Sequence, residues 1–358
     1  MRILHMADAH FGKRFASSRF GPESAARRRA LLADALEMTV QYANENQVDF
    51  ILSAGDLIES AEARPSDLRR LDEILSGLVR AKVYLIAGNH DPLDASSPYH
   101  RLQSDRLTLL PPGYSRTMLD ERTALHAYSF PEAVQRANPM AAQPLDRSAP
   151  RNILLLHCDA ISRESDYLPA RMDFLKKFDY CALGHVHQPL SLAPGVRYSG
   201  SLIGLDRNET GPRGFVVVDL GDALTECFHP LPIPTYEAVS AELGAGLGEG
   251  AQFSAILQAL EDLPKDNLYS VTLTGVYAAG ARPDLEAIAE RLKAGGRQVY
   301  LIDETRPAYD LQALSKEHRD DLIGQAVASF GPESELSARE ALALEYALAA
   351  LMEGGRSA

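Results

Sequence analysis

At 358 residues, 46% of them hydrophobic, the chain can bury one large core and still build a second unit, and no run approaches the ~20 apolar residues of a membrane span. A formal net charge of −13 argues against nucleic acid or an anionic membrane as an obvious partner. The charge is unevenly placed: residues 236–358 hold 20 acidic and 10 basic side chains, a net of −10, against −3 for residues 1–235.

In chain order, short apolar runs predict strands at Arg2–Met6, Asp49–Ser53, Lys82–Ala87, Ala124–Ser129, Asn152–Leu156, Tyr180–Leu183 and Gly214–Leu220. Helical patterns lie between the early ones, at Pro22–Asn46 and Pro65–Arg80, each opened by a proline suited to a first turn. The early alternation suggests βαβ units. Fewer helices separate the later strands, so a mixed α/β sandwich fits better than a purely parallel sheet. Residues 138–150 read as a loop rich in breakers. Composition shifts after Pro230–Pro234 and the glycine-rich 244–250. A helix (Ala251–Leu263), a strand (Leu268–Val276), a helix (Pro283–Ala294) and a strand (Gln298–Ile302) then predict a small α/β domain over 236–307, and 308–358 reads as a helical tail. In that tail Ser337 and Glu340 fit a capping box. Leu344, Leu348, Leu351 and Met352 form an apolar stripe, which Gly354-Gly355 ends.

Five segments carry chemistry: Asp8-Ala9-His10, Gly55-Asp56, Gly88-Asn89-His90-Asp91, His157 and Gly184-His185-Val186-His187. Each falls at or just past the end of a predicted strand, where α/β folds present functional groups, and together they hold five of the ten histidines. Hard oxygen donors mixed with imidazoles suit Mn, Fe or Zn rather than calcium. A carboxylate can bridge two cations about 3.5–4 Å apart, the spacing used in two-metal hydrolysis. Two bound cations would add about +4 to the first 235 residues and bring them near neutral, which weakens the argument against a phosphate-rich substrate.

These segments resemble the calcineurin-like metallophosphoesterase superfamily. Within it, His5-Met6-Ala7-Asp8-Ala9-His10-Phe11-Gly12 resembles the opening of SbcD-type DNA repair nucleases. Gly88-Asn89-His90-Asp91-Pro92 with Tyr99, Ala182–His187, Tyr198–Ser201 and Glu209–Gly214 resemble their YhaO-like branch. The likeness covers residues 1–220 and continues loosely at Thr272–Gly275 and Thr305–Pro307. Ala9 stands where a bulky residue is usual, touching neither ligand. The resemblance implies a sandwich of two mixed β-sheets flanked by helices, with a small α/β capping domain and C-terminal helices. It implies two divalent cations, Mn²⁺ first and Fe or Zn as substitutes. Asp8, His10, Asp56 and His187 would hold one, and Asp56, Asn89, His157 and His185 the other, with Asp56 bridging. His90, oriented by Asp91, would be a proton donor or transition-state stabiliser, and as donor would protonate the departing oxygen after in-line attack on phosphorus.

Plainer roles suit other residues. His5, His100, His126, His229 and His318 read as structural, and Cys158, Cys181 and Cys227 as small core residues. Three cysteines without a CxxC pair, and an N-terminus that reaches Asp8 too early for a signal peptide, fit a reducing cytoplasm. Lys13, Arg14, Arg27 and Arg28, with Arg19 and Arg29, are candidates to contact nucleic-acid phosphates; a solvated helix face is the plain alternative. The apolar stripe of the tail either packs on its own chain or docks on a partner, and the resemblance favours a partner. The leading expectation is a Mn-dependent DNA exo/endonuclease of DNA repair, working with an SMC-like (SbcC/YhaN-type) coiled-coil ATPase and not with a membrane. A homodimer stays open. The rivals are a phosphoesterase on a nucleotide or other small phosphate ester, and a scaffold subunit of an ATPase complex.

Overall fold

A computed structural model describes residues 1–16, 19–142, 144–221, 223–278, 282–331 and 336–354. The chain divides into two compact units, Met1–Glu237 and Ala238–Ala358. In the first unit the order is β1 (Arg2–Met6), α1 (Pro22–Glu45), β2 (Phe50–Ala54), α2 (Pro65–Ser76), β3 (Lys82–Ile86), β4 (Leu107–Leu109), β5 (Gly113–Met118), β6 (Thr123–Ser129), β7 (Arg151–His157), α3 (Met172–Leu175), β8 (Tyr180–Gly184), β9 (Leu190–Ala193), β10 (Val196–Tyr198), β11 (Gly214–Leu220) and β12 (Leu224–Pro230). The strands form two six-stranded sheets, β12-β11-β1-β2-β3-β4 and β5-β6-β7-β8-β10-β9. In the first, β1 to β4 run parallel, β11 is antiparallel to β1, and β12 is antiparallel to β11. In the second, β6, β7, β8 and β10 run parallel, edged by antiparallel β5 and β9. This is the mixed α/β sandwich expected from the sequence.

Strict alternation distributes the apolar runs. Ile3, Leu52, Ile153, Leu155, Ala182 and Val216 fill the layer between the sheets. Leu4, Met6, Ile51, Val83 and Leu85 point the other way, onto Leu32, Leu36, Leu71 and Leu75 of α1 and α2. Strands buried on both faces read as continuous apolar runs, which is why these were legible. His5 takes the structural role expected of it: its ring nitrogens meet the Tyr180 hydroxyl at 2.9 Å and the Leu183 carbonyl at 3.1 Å. Burial pushes its imidazole down to about 3, so it stays neutral. His126 is likewise buried, against Tyr114 and Asn152.

Some boundaries differ. Helix α2 stops at Ser76 instead of Arg80, because the Gly77 amide closes a turn onto Ile74 and the Asn44 side chain captures the Val79 amide at 2.9 Å. Strands β4, β5, β9, β10 and β12 carry no long apolar run. Most are short or lie at a sheet edge, and the edge strands are mostly half-buried or exposed, so they need no continuous apolar run. Cys158 and Cys181 are buried as expected, but Cys227 is exposed, since it lies on edge strand β12. No helix among the described residues is long and apolar enough to cross a membrane.

After β13 (Tyr236–Leu243), which crosses the boundary between the units, the second unit contains α4 (Glu249–Ala259), β14 (Leu268–Ala278), α5 (Leu285–Ala294), β15 (Gln298–Asp303), β16 (Arg306–Ala308), α6 (Leu311–Glu317), α7 (Leu322–Phe330) and α8 (Ala338–Gly354). Its sheet runs β13-β14-β15, with β16 on β14, over a core of Leu243, Ile256, Val271, Leu273, Ile288 and Leu292. The Ser337–Glu340 capping box forms. Gly355, expected to help end α8, lies outside the described residues. Docking of the tail stripe on a partner is corrected here. Leu344 and Leu348 are fully buried against Leu314 of α6 and Val327 of α7, because three short amphipathic helices cover one another's apolar faces.

Candidate metal centre

Parallel strands β1, β2 and β3 of one sheet, and β7 and β8 of the other, deliver all five motifs. Asp8 follows β1, Asp56 follows β2 and Asn89 follows β3; His157 ends β7 and His185 follows β8. The chain must turn sharply there. Asp8, His10, Asp56 and His185 all adopt positive φ, at 51°, 44°, 51° and 100°. Such a conformation persists for a non-glycine residue only where its surroundings enforce it. The glycines of the motifs have a steric reason: a Cβ on Gly88 would lie 2.3 Å from Asp56 Oδ1, and one on Gly55 would lie 2.6 Å from His157 Nδ1.

The predicted ligands converge. Asp8, His10, Asp56 and His157 are buried. Three groups have ligand atoms all within 4.8 Å of one another: Asp8 with His10 and His187, His10 with Asp56 and His90, and Asp8 with Asp56 and His157. Asp56 Oδ2 stands 3.7 Å from His10 Nε2 and 3.5 Å from His157 Nε2, so one carboxylate faces both halves. Asn89 Oδ1 lies 2.9 Å from His157 Nε2 and 3.3 Å from His185 Nδ1. Asp8 accepts the His185 amide through both oxygens, at 3.0 and 3.1 Å.

The electrostatics are those of a site prepared for cations. Burial raises the Asp8 carboxyl, against the pull of His187 and His157. Burial also works against ionised Asp56, yet His157 and His10 hold it below the usual carboxylate range. Burial and neighbouring His157 lower His185 to about 4. His187 goes the other way: burial opposes its charge, but Glu209 and Asp8 raise it to about 9. The carboxylates that favour the charged ring are the groups that would attract a bound cation. Among the described residues the buried Nε2 of His10 has no hydrogen-bond partner. An unpartnered imidazole nitrogen, with two buried carboxylates and further imidazoles around it, fits a pair of divalent cations.

Two carboxylates that motif reading missed orient these rings. Glu59 meets His10 Nδ1 through one oxygen and His90 Nδ1 through the other, at 3.0 Å each. Glu209 meets His187 Nδ1 at 2.7 Å and accepts the Leu205 amide at 2.7 Å. A carboxylate on Nδ1 fixes the tautomer and aims Nε2 inward. The signals were present: Glu59 sits three residues past Asp56, and Glu209 opens a segment already singled out. His157 Nδ1 is held the same way by the Ala54 carbonyl at 2.9 Å.

The expected orientation of His90 by Asp91 is therefore corrected. Asp91 is fully buried, and its oxygens accept the amides of Asp56, Ile58 and Gly88 and the Tyr99 hydroxyl. It ties the β2 and β3 loops together and has no oxygen left for a ring that points outward. Glu59→Gln is expected to cut both turnover and metal affinity, within the ~10–100-fold range typical of an outer partner of a ligand. Metal titration and steady-state kinetics on the same variant check this, and an effect on turnover alone would separate His10 from Glu59.

The basic candidates divide. Arg28 is 1% exposed. Its guanidinium donates to the Pro234 and Gly204 carbonyls and lies 4.6 Å over the Tyr236 ring, so it is a core strut and cannot reach a phosphate. Arg29 pairs with Asp67 at 2.7 Å. Lys13 is half-buried, with Nζ 3.8 Å from Glu59, and so stands beside His10. Arg14 and Arg27 are exposed; Arg14 donates to the Glu62 carbonyl at 2.9 Å.

The match to a family model agrees with this geometry. The family model described as calcineurin-like phosphoesterase matches residues 1–189. The Bacillus subtilis (strain 168) protein named uncharacterized metallophosphoesterase YhaO is 27% identical over 282 residues, covering 73% of this chain and 67% of the relative. A solved dimetal phosphatase from Danio rerio shares 12% identity, covering 66% of this chain and 99% of its own, at a TM-score of 0.39. Members of the matched family act through a dinuclear divalent metal centre, and the match spans every motif up to His187. The chain belongs to the calcineurin-like phosphoesterase family, and is a metal-dependent phosphoesterase.

Proposed function

We propose that this chain is a Mn-dependent phosphodiesterase that cuts DNA in the cytoplasm, with an SMC-like coiled-coil ATPase as partner. The observation that carries the diesterase reading is the convergence of Asp8, His10, Asp56, Asn89, His157, His185 and His187 around one buried carboxylate, Asp56, with His90 at the solvent edge. Asp8, His10, Asp56 and His187 would hold one cation, and Asp56, Asn89, His157 and His185 the other. When bound, the two cations supply charge neutralisation at the phosphoryl oxygens and a nucleophile at neutral pH.

The remaining steps belong to the side chains. His90 is the ring with 43% of its side chain exposed. Its Nδ1 faces Glu59, which leaves Nε2 to meet a leaving oxygen. The hydrogen bond to Glu59 raises its pKa above the ordinary histidine value, which favours the protonated ring that would donate to a departing sugar oxygen. Lys13, Arg14 and Arg27 would meet flanking phosphates. DNA and the ATPase are supported by the sequence resemblance and by the second unit, which a small-ester enzyme would not need. With the Leu344–Leu348 seam closed, exposed Leu342 and Tyr346 on α8 are the apolar surface left for a partner.

The test uses the Mn-loaded chain on labelled single- and double-stranded DNA and on a small chromogenic phosphodiester, with and without the ATPase. DNA cleavage and co-purification are the expected result. Hydrolysis of the small ester alone, without DNA cleavage, would replace the DNA reading with a small-phosphoester one.

A further inference from the structure

Among the described residues, the two largest side chains that are fully buried are both arginines, Arg28 and Arg213. Neither takes part in the two-metal chemistry above. Arg213 immediately precedes β11. One of its terminal nitrogens donates to the Gln188 side-chain oxygen at 3.0 Å and to the Pro212 carbonyl at 3.4 Å. Arg28, on α1, donates to the Pro234 carbonyl at 2.6 Å and to the Gly204 carbonyl. Among the described residues, Nε of both and the second terminal nitrogen of Arg213 have no hydrogen-bond partner.

Hydrogen bonds alone therefore do not account for two arginines here. An apolar side chain of similar volume would fill the space at a smaller desolvation cost. What a guanidinium adds is charge, and the two share a counter-charge in Glu209. Burial works against both guanidinium charges; Tyr236 and Glu209 favour that of Arg28, and Glu209 and Glu237 that of Arg213. Burial also works against the Glu209 carboxylate, yet His187, the Leu205 amide and Arg213 hold it below the ordinary range.

Glu209 lies in the loop between β10 and β11, which has no strand or helix of its own to fix it. Each arginine grips the chain next to one of its partners. Gly204, held by Arg28, precedes Leu205, whose amide Glu209 accepts. Gln188, held by Arg213, follows His187, whose Nδ1 faces Glu209. The His187 carbonyl in turn accepts the Ser201 amide at 3.0 Å. We propose that Arg213 and Arg28 are positioning residues for His187. Arg213 supplies the counter-charge of Glu209 and holds Gln188, and Arg28 holds the far end of the loop. Glu209 so placed keeps the His187 ring with Nε2 free for a cation. The inference rests on the two-cation reading and adds to it two residues that touch neither cation nor substrate.

The experiment titrates Mn²⁺ into the full metal-free chain and follows the His187 ring by nitrogen-15 NMR before metal is added. Arg213→Gln should weaken the cation assigned to His187 by roughly ten- to hundredfold, the range for an outer partner of a ligand, and leave the cation assigned to His157 and His185 unchanged. Arg28→Met should show the same one-site loss. Arg213→Lys, which keeps the charge, should recover part of it. In a Glu209→Gln background Arg213→Gln should add little, because both changes act through one ring. In the metal-free chain the proton between His187 Nδ1 and Glu209 should give a downfield resonance that survives Arg213→Lys and is lost in Arg213→Gln. Should Arg213→Gln fail to fold, Gln188→Leu, at an exposed position, decides: it should weaken the same cation by a smaller factor. Additive losses in the double variant, equal weakening of both cations, or an unchanged resonance and affinity would overturn the proposal. Fewer than two Mn²⁺ in the wild-type chain would instead count against the two-cation reading, and the resonance then still decides the role of Arg213.

Discussion

Asp56→Asn is expected to lose most of its bound metal and nearly all phosphoesterase activity. The substitution keeps the size of the side chain and leaves Oδ1 able to accept the His90 amide, a bond of 2.8 Å. What it removes is the negative charge between His10 and His157, which stand 3.7 and 3.5 Å from Oδ2. The site is buried, so no solvent replaces that charge, and each half of the centre would lose the ligand it is proposed to share. The loss should exceed the ~10–100-fold cost of removing an outer partner such as Glu59. Elemental analysis after gel filtration, beside circular dichroism to show an intact fold, checks it. Two tightly held cations in the variant would overturn the sharing of Asp56.

His90→Ala should behave differently. Both cations should remain while turnover falls by about 10²–10⁴-fold, as for a lost general acid. The distinction matters because His90 also sits within ligand distance of His10 and Asp56. Its exposure and its bond to Glu59 favour proton transfer over coordination. Three readouts decide. Metal content should be unchanged. The defect should shrink on esters with strongly acidic leaving groups, which depart without a proton. The pH profile should also change. Glu59 raises the His90 pKa, so wild-type turnover on poor leaving groups should persist above the ordinary histidine range and decline as pH rises through the raised value. His90→Gln should lack that limb. An emptied site in His90→Ala would make His90 a ligand and transfer the acid role elsewhere.

These expectations rest on two kinds of information. Local sequence already determined the strands β1, β2, β3, β7, β8 and β11 to within a residue or two at each end, because strands buried on both faces must be apolar throughout. Asp and Asn are ordinary turn residues taken singly, but their combination with histidines at five strand ends singled out side chains that the fold brings together, and Gly55 and Gly88 mark where the backbone must pass close to a neighbour. What a side chain reaches across the fold is a different matter. Asp91 lies next to His90 in sequence yet serves the backbone of the β2 loop, while Glu59, 31 positions away, holds the ring. Arg28 belongs to a run of three arginines that reads as a solvated face, but the helix turns that one position inward against Tyr236. Leu344 and Leu348 announced a face needing cover without naming the cover, which α6 and α7 provide. Periodicity encodes which face of an element is apolar; only the assembled sheets and helices decide which groups meet there, because those meetings depend on distances between segments far apart in the chain.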